Sequence, residues 1–406
     1  MKVATGTGVV NGIAIGKLKL FKPPVYEISE EKTGVPDSEV SRFEAAIAKV
    51  KEQQHALYEK AVKEIVTKVD SIIPENLPAE RPITWFELVT LFSFLCFRTA
   101  KTKWNVFEVG MGGRLDATNI IRPKLCCITP IELEHTEFLG DSLEKIASEK
   151  AGIIKNCTPV LFARQPSDSV NIVLREKAFT RHAPHYFIDE LVTSSSYSFD
   201  EKNYRMKVHF ESSMFNRPVE AKLRLLGKMQ SQNAAMACIA AKKLLPNIDE
   251  SIIERGLEKA KLHGRFEIKE NPQGLEGLTI ILDGAHTVNS VSLTIDTLNK
   301  LFESKKTNLL FACARDKDVK DIAKLFTSRF SQIFATIPGN KKESNLQMLK
   351  EAFKRAKLDF TSSPDYKYII REAIEKSIKE KAILLVTGSF YLLAETEAVL
   401  KKYCKA

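Results

Sequence analysis

The sequence predicts an α/β protein built largely on parallel sheets, and three observations predict it. Short apolar runs at residues 104–109, 125–129 and 159–163 alternate with helical stretches, as strands buried on both faces do. A second set at 278–282, 308–312, 332–337 and 382–387 alternates with amphipathic segments at 290–302, 319–330, 345–357 and 368–379. Four such strands with helices between them describe a small doubly wound α/β domain. Finally, no apolar run approaches the roughly 18 residues that span a bilayer. The longest, residues 86–97, is broken by Glu87, Thr90 and Ser93 and reads as a buried helix.

The elements follow in chain order. Residues 3–22 alternate apolar positions with Gly6, Gly8, Gly12 and Gly16 and predict strand, which Pro23 and Pro24 end. Asp37 or Ser38 caps a helix expected to run to about residue 69, with Phe43, Ile47, Val50, Leu57 and Ala61 on one face. That face asks for a partner helix, as at the edge of a hairpin or bundle. Pro74, Pro78 and Pro82 punctuate the entry to a second unit, which opens with a helix over 85–97. Residues 186–225 alternate polar and apolar and predict an antiparallel excursion, and 230–245 is an alanine-rich helix.

Composition narrows the function. At 406 residues the chain holds two or more domains. The net charge of +10 suits an anionic partner, but 61 basic residues are offset by 51 acidic ones spread along the chain. No basic run interleaves with aromatics, so nucleic acid is not the expected partner. The seven cysteines are scattered, odd in number and without a CxxC pair, and no apolar h-region follows Lys2. A reducing, cytoplasmic setting is expected, with no membrane association.

Several motifs follow predicted strand ends, where open α/β sheets place ligands. Glu108-Val-Gly-Met-Gly-Gly-Arg-Leu-Asp-Ala-Thr-Asn119 puts a carboxylate before glycines that let backbone approach a ligand; a glycine turn with a structural Arg114–Asp116 pair reads equally well. In Thr129-Pro-Ile-Glu-Leu-Glu-His-Thr-Glu-Phe-Leu-Gly140, His135 stands among Glu132, Glu134 and Glu137. Glu108 and His135 are candidates to share one divalent cation, with water and phosphate oxygens completing the shell as magnesium prefers. Lys150, in Ser148-Glu-Lys-Ala-Gly, reads from the residues alone as a solvated helix lysine. Arg265 offers a phosphate clamp. Asp283 and His286, in Ile281-Leu-Asp-Gly-Ala-His286, sit where a ribose or phosphate meets the sheet edge. Asp316-Lys-Asp318 and Thr387-Gly-Ser389 likewise follow strands.

These runs, in this order, resemble the folylpolyglutamate synthase and dihydrofolate synthase family of the Mur ligase superfamily over about residues 69–406. The resemblance implies a Mur-ligase-type central ATPase domain at 69–261 and a C-terminal Rossmann-like domain at 262–406. It implies a cytoplasmic monomer that uses ATP and Mg2+ to join L-glutamate to a folate or dihydropteroate carboxylate through an acyl phosphate. Carried over residue by residue, Glu108 and His135 are the metal ligands. Lys150 is a lysine that becomes carbamylated for a second metal, against the reading from its spacing. Asn233 contacts adenine, Arg265 contacts phosphate, and Asp283 and His286 lie near the ATP ribose and phosphates.

The sequence also departs from that family. Glu134 stands where an aspartate is common, Met229 where a histidine is usual, and Thr287-Val288 replaces Asn-Pro. A phosphate loop resembling Gly-Thr-Asn-Gly-Lys-Gly-Ser is absent, as is the Ser-Pro-His folate segment, so the central domain reads as truncated. Residues 1–65 instead resemble the opening strand and helix of phosphoenolpyruvate–protein phosphotransferase, without its phosphorylated-histidine segment, and a junction is expected near 60–71. The expectation is a ligase impaired by the missing loop. A non-catalytic nucleotide-binding remnant or fusion product, and a sugar-phosphotransferase component, stand as alternatives.

Overall fold

A computed structural model describes residues 56, 59–61, 63–64, 84–340 and 343–403. The strand expected over 3–22 and most of the helix expected over 38–69 lie outside the described residues. Contacts divide the chain into two units, Met1–Arg122 and Pro123–Ala406.

In the first unit, Thr84 opens helix α1 (Trp85–Thr99) through a capping box: Thr84 Oγ1 accepts from the Glu87 amide at 3.2 Å, and Glu87 accepts from the Thr84 amide at 2.8 Å. Leu95 and Cys96 pack with Ala61 in a small core. The strand expected over 104–109 is not formed. Phe107 docks against Phe94 and Phe97, ring centroids 4.8 and 5.4 Å away, while Val106 is 86% exposed. Within this run Phe107 packs on the one helix in place of a strand ladder. Gly110 follows because a Cβ there would lie 2.4 Å from the Phe86 ring.

The second unit contains three sheets. The first is parallel, β1 (Cys126–Ile128), β2 (Val160–Phe162) and β3 (His185–Phe187) in that spatial order. Between β1 and β2 come α2 (Thr136–Leu139) and α3 (Leu143–Ala151); between β2 and β3 comes α4 (Asp168–Thr180). Ile146, Ala147 and Ala151 of α3 and Val170, Leu174 and Ala178 of α4 bury against Val160 and Phe162. After the short α5 (Ile188–Leu191), the predicted antiparallel excursion is a three-stranded sheet: β4 (Ser194–Asp200), β5 (Arg205–Glu211) and β6 (Val219–Leu223). Its period of two is clean in β5, where Met206, Val208 and Phe210 are buried. The alanine-rich helix is α6 (Lys228–Leu244), followed by α7 (Glu250–Lys259).

The third sheet has six strands in the order β11–β10–β9–β12–β8–β7. These are β7 (Glu267–Glu270), β8 (Thr279–Leu282), β9 (Thr307–Phe311), β10 (Gln332–Ala335), β11 (Thr361–Ser362) and β12 (Ile383–Thr387); all pair in parallel except β7, which runs antiparallel to β8. The intervening helices are α8 (Val288–Leu301), α9 (Val319–Lys324), α10 (Leu346–Arg355) and α11 (Tyr366–Lys379), and α12 (Phe390–Tyr403) closes the fold. Alternate residues serve two cores. Ile280, Leu282, Leu384 and Val386 face α11 and α12. Ile281, Leu309, Phe311 and Leu385 join a cluster with Ile295 and Leu298 of α8 and with Phe210 and Ile239 beyond. Each buried leucine or isoleucine contributes about 1.5–3 kcal/mol relative to exposure, so this doubly covered sheet fixes the loops at its ends.

Candidate functional site

In the first unit, Glu108 is exposed and follows no strand. Asp116 organises the glycine turn beside it: its carboxylate accepts from the amides of Gly110 and Met111, each at 3.0 Å, and of Thr118 at 2.9 Å, and from Thr118 Oγ1 at 2.6 Å. The Asp116 part of the motif is therefore a structural knot.

In the second unit, three sheet-end loops converge. The loop after β1 is anchored by Gln165, whose Oε1 accepts from the Ile131 amide at 3.0 Å and whose Nε2 donates to the Ala163 carbonyl at 2.8 Å. The loop then presents three polar groups in a row. Glu132 accepts from Asn289 Nδ2 at 2.6 Å and from Thr287 Oγ1 at 3.3 Å, so it grips the first turn of α8. Glu134 Oε1 lies 3.5 Å from His286 Nε2. The hydrogen bond from His286 holds the Glu134 carboxyl down at about 2, outweighing its burial. On its other side His286 Nδ1 donates to the Gly284 carbonyl at 2.8 Å, which fixes the ring.

His135 takes the left-handed conformation, φ 52°, at the start of α2. Burial pushes its pKa below the ordinary value; the Lys317 and Lys150 cations push the same way, against Glu134 and Asp316. The ring is therefore held in the neutral form, with a lone pair available to a cation. Lys150 occupies the last turn of α3, half-buried rather than fully solvated. Lys317, from the loop after β9, is only 15% exposed and lies 3.3 Å from Asp316. It was legible in the sequence only as part of a polar run after a strand.

Arg265 and Asp283 form the other side. Asp283 is buried and takes its hydrogen bonds from inside the fold: Oδ2 accepts from the Phe266 amide at 2.7 Å, Oδ1 from the Ala285 amide at 2.8 Å and from Thr294 Oγ1 at 3.2 Å. Burial raises its pKa, opposed by these donors and by Arg265. Arg265 lies over the Phe390 ring, 4.8 Å from the centroid. A cavity of about 40 Å³ beside them is lined by Leu226, Gly227, Gln230, Arg265, Asp283 and Thr294. It has room for a water molecule or so and not for a nucleotide. Asn233 is exposed on the first turns of α6.

The structure thus brings His135, Lys150, Glu134, His286 and Lys317 into one electrostatic neighbourhood and places Arg265 with Asp283. Among the described residues, no three His, Cys, Asp or Glu side chains gather as a metal cage, and no helix is long and apolar enough to cross a membrane.

The model of the Mur ligase middle domain matches residues 49–241, and that of the Mur ligase glutamate ligase domain matches residues 264–390. The dihydrofolate synthase/folylpolyglutamate synthase of Bacillus subtilis is 29% identical over 325 residues, 78% of this chain and 72% of that protein. The chain belongs to the folylpolyglutamate and dihydrofolate synthase family of Mur ligases. The folylpolyglutamate synthase of Lacticaseibacillus casei is 26% identical over 342 residues, 79% of this chain and 72% of the relative. The crystal structure of the Thermotoga maritima folylpolyglutamate synthase superposes with a TM-score of 0.66 at 26% identity, covering 87% of this chain and 78% of that one. A Mycobacterium tuberculosis folylpolyglutamate synthase, complexed with ADP and AMPPCP, shares the fold with a TM-score of 0.73 at 24% identity, covering 85% of this chain and 79% of that one. The Mur-ligase α/β architecture expected from the sequence is therefore the observed one. Residues 5–74 match a different model, the N-terminal domain of PEP-utilising enzymes.

Proposed function

We propose that this chain is an ATP-dependent ligase that joins L-glutamate to a folate or dihydropteroate carboxylate. The observation that carries the reading is the convergence of the loops after β1, β8 and β9, which set neutral His135 and Lys317 beside the Glu134–His286 pair and near Lys150 of α3, in a chain whose domains match those of glutamate ligases.

The chemistry needs the ATP γ-phosphoryl group to pass to the acceptor carboxylate, and the glutamate amine then to displace phosphate from the acyl phosphate. Here the protein supplies charge and position. Arg265 is the bidentate clamp for phosphate, and Lys317 offsets the anionic charge near His135. Asp283, engaged by the Phe266 and Ala285 amides and by Thr294 Oγ1, holds the Arg265 and His286 loops in place. Asn233 lies on the exposed face of α6 for adenine. The neutral imidazole of His135 suits a metal ligand and would hold Mg2+, which screens phosphate charge, and a carbamylated Lys150 would serve a second cation.

No sequence like the family's phosphate loop occurs in the chain, so we infer that turnover is impaired: the row of N–H groups and the lysine around the β- and γ-phosphates are missing. ADP release with a reduced folate, L-glutamate and Mg2+ tests this. The expected result is folate- and glutamate-dependent release well below about 1 per second. A rate of that order or above would sink the impairment. A second reading is favoured by the same absence and by the PEP-utilising match over 5–74: a non-catalytic nucleotide-binding protein. Calorimetric ADP binding without any folate-dependent release would support that reading. The reading places the protein in the cytoplasm, in keeping with the free cysteines among the described residues.

A further inference from the structure

Phe390 touches two of the groups assigned above and is itself assigned nothing. Its ring lies under the Arg265 guanidinium, 4.8 Å from centroid to Cζ, and meets the His286 ring edge-on with centroids 6.5 Å apart and planes at 67°. The seat for the ring is made by two glycines. A Cβ on Gly284 would lie 2.3 Å from the Phe390 ring, and one on Gly264 would lie 3.1 Å from it and 2.8 Å from Leu393. The Gly284 amide donates to the Gly264 carbonyl at 2.8 Å, so the two glycines form one backbone surface. Gly264 also has φ 67°, a conformation glycine adopts without strain. The ring's own backbone is tied in next door, where the Gly388 amide donates to the Ala285 carbonyl at 2.8 Å.

A guanidinium is planar and weakly hydrated, and stacking on an aromatic face restricts it to one plane without using its N–H donors. An aliphatic side chain of similar volume would fill the space but leave that plane undefined. We propose that Phe390 is a positioning residue for nucleotide phosphate: it aims the Arg265 fork. This rests on the reading of Arg265 as a phosphate contact.

The test uses the full chain and calorimetric titration with ADP and Mg2+, with thermal melting as the check on folding. Phe390→Leu is expected to weaken ADP binding roughly 3- to 10-fold, and Phe390→Tyr, which keeps the ring, to bind within about 2-fold of the parent. In an Arg265→Ala background, Phe390→Leu is expected to cost nothing further, because the ring acts through the guanidinium. Arg265→Lys guards against a Leu variant that does not fold. The ammonium keeps the charge but cannot stack as a plane, so it should bind as weakly as Arg265→Ala. Parent-like affinity of Phe390→Leu or of Arg265→Lys, alongside a weakened Arg265→Ala, overturns the positioning role alone. Parent-like affinity of Arg265→Ala overturns the phosphate reading and this inference with it.

Discussion

Glu134 and His286, 3.5 Å apart, join the loop after β1 to the loop at the end of β8. Glu132 repeats the link one turn away, through Asn289 and Thr287. Three polar side chains from α8 and its approach, His286, Thr287 and Asn289, thus hold the segment that carries His135.

Removing both acids should loosen that joint without unfolding the sheets. Partly exposed ion pairs and hydrogen bonds of this kind contribute about 0.5–1.5 kcal/mol each. The Glu132→Ala, Glu134→Ala double variant should therefore speed amide exchange over residues 286–291 by about 5- to 30-fold. Exchange unchanged in that stretch, with the double substitution confirmed, would show that the N-terminal turn of α8 stands without the acids.

A second ion pair is structural. Lys242 Nζ lies 2.5 Å from Glu250, both side chains 2% exposed, and also donates to the Ile248 carbonyl at 2.7 Å. Glu250 in turn accepts from the Asn216 amide at 3.0 Å. Lys242→Met leaves a carboxylate buried without its cation, which costs about 3–5 kcal/mol, whereas Lys242→Met with Glu250→Leu should recover most of it. Urea unfolding of the single and double variants compares them. Equal losses in both would mean that Glu250's main-chain partner at Asn216, and not the charge pair, holds this corner.

The sequence made the third sheet legible because its strands are buried on both faces and read as unbroken apolar runs between amphipathic helices. β7 and β11 escaped because an edge strand such as Glu267-Ile-Lys-Glu270 carries charge on a half-covered surface, and Thr361-Ser362 is too short to show any period. The run at 104–109 misled for the opposite reason: apolar composition there serves helix packing by Phe107. Among the site residues, His135 and His286 stood out as polar groups after strands, and Arg265 as a phosphate clamp at the opening of the last unit. Lys317 and Phe390 did not, since neither a lysine between two aspartates nor a phenylalanine opening a helix signals anything until the loops are brought together.

Gly388 gives a sharp test of the loop that carries Ser389 and Phe390. Its φ is 102°, and an added Cβ would lie 2.4 Å from the Ala312 carbonyl oxygen, a backbone atom that cannot swing aside. Gly388→Ala should therefore destabilise the protein by about 2 kcal/mol or more, and shift the resonances or crystal positions of Ser389 and Phe390. A variant that melts like the parent would mean the strand end can slide away from Ala312.

The antiparallel sheet holds a charge device of its own. His209 Nδ1 is 3.1 Å from Glu220 and Nε2 is 3.0 Å from Glu211, so both nitrogens are satisfied only when each carries a proton to donate. The Glu211 and Glu220 carboxylates accordingly raise its pKa above the ordinary value of 6.5. Because the folded value is the higher one, the stabilisation is fully present below the unfolded pKa and is lost as pH rises through the folded one. The melting-temperature advantage of the parent over His209→Gln should thus be largest at pH values below the ordinary 6.5 and be lost as the pH rises above it. The site faces solvent, so the advantage should be no more than about 2 °C and should shrink in roughly 1 M salt. An advantage that grows with pH would reverse the assignment, since it would require the neutral ring to be the form the two glutamates prefer.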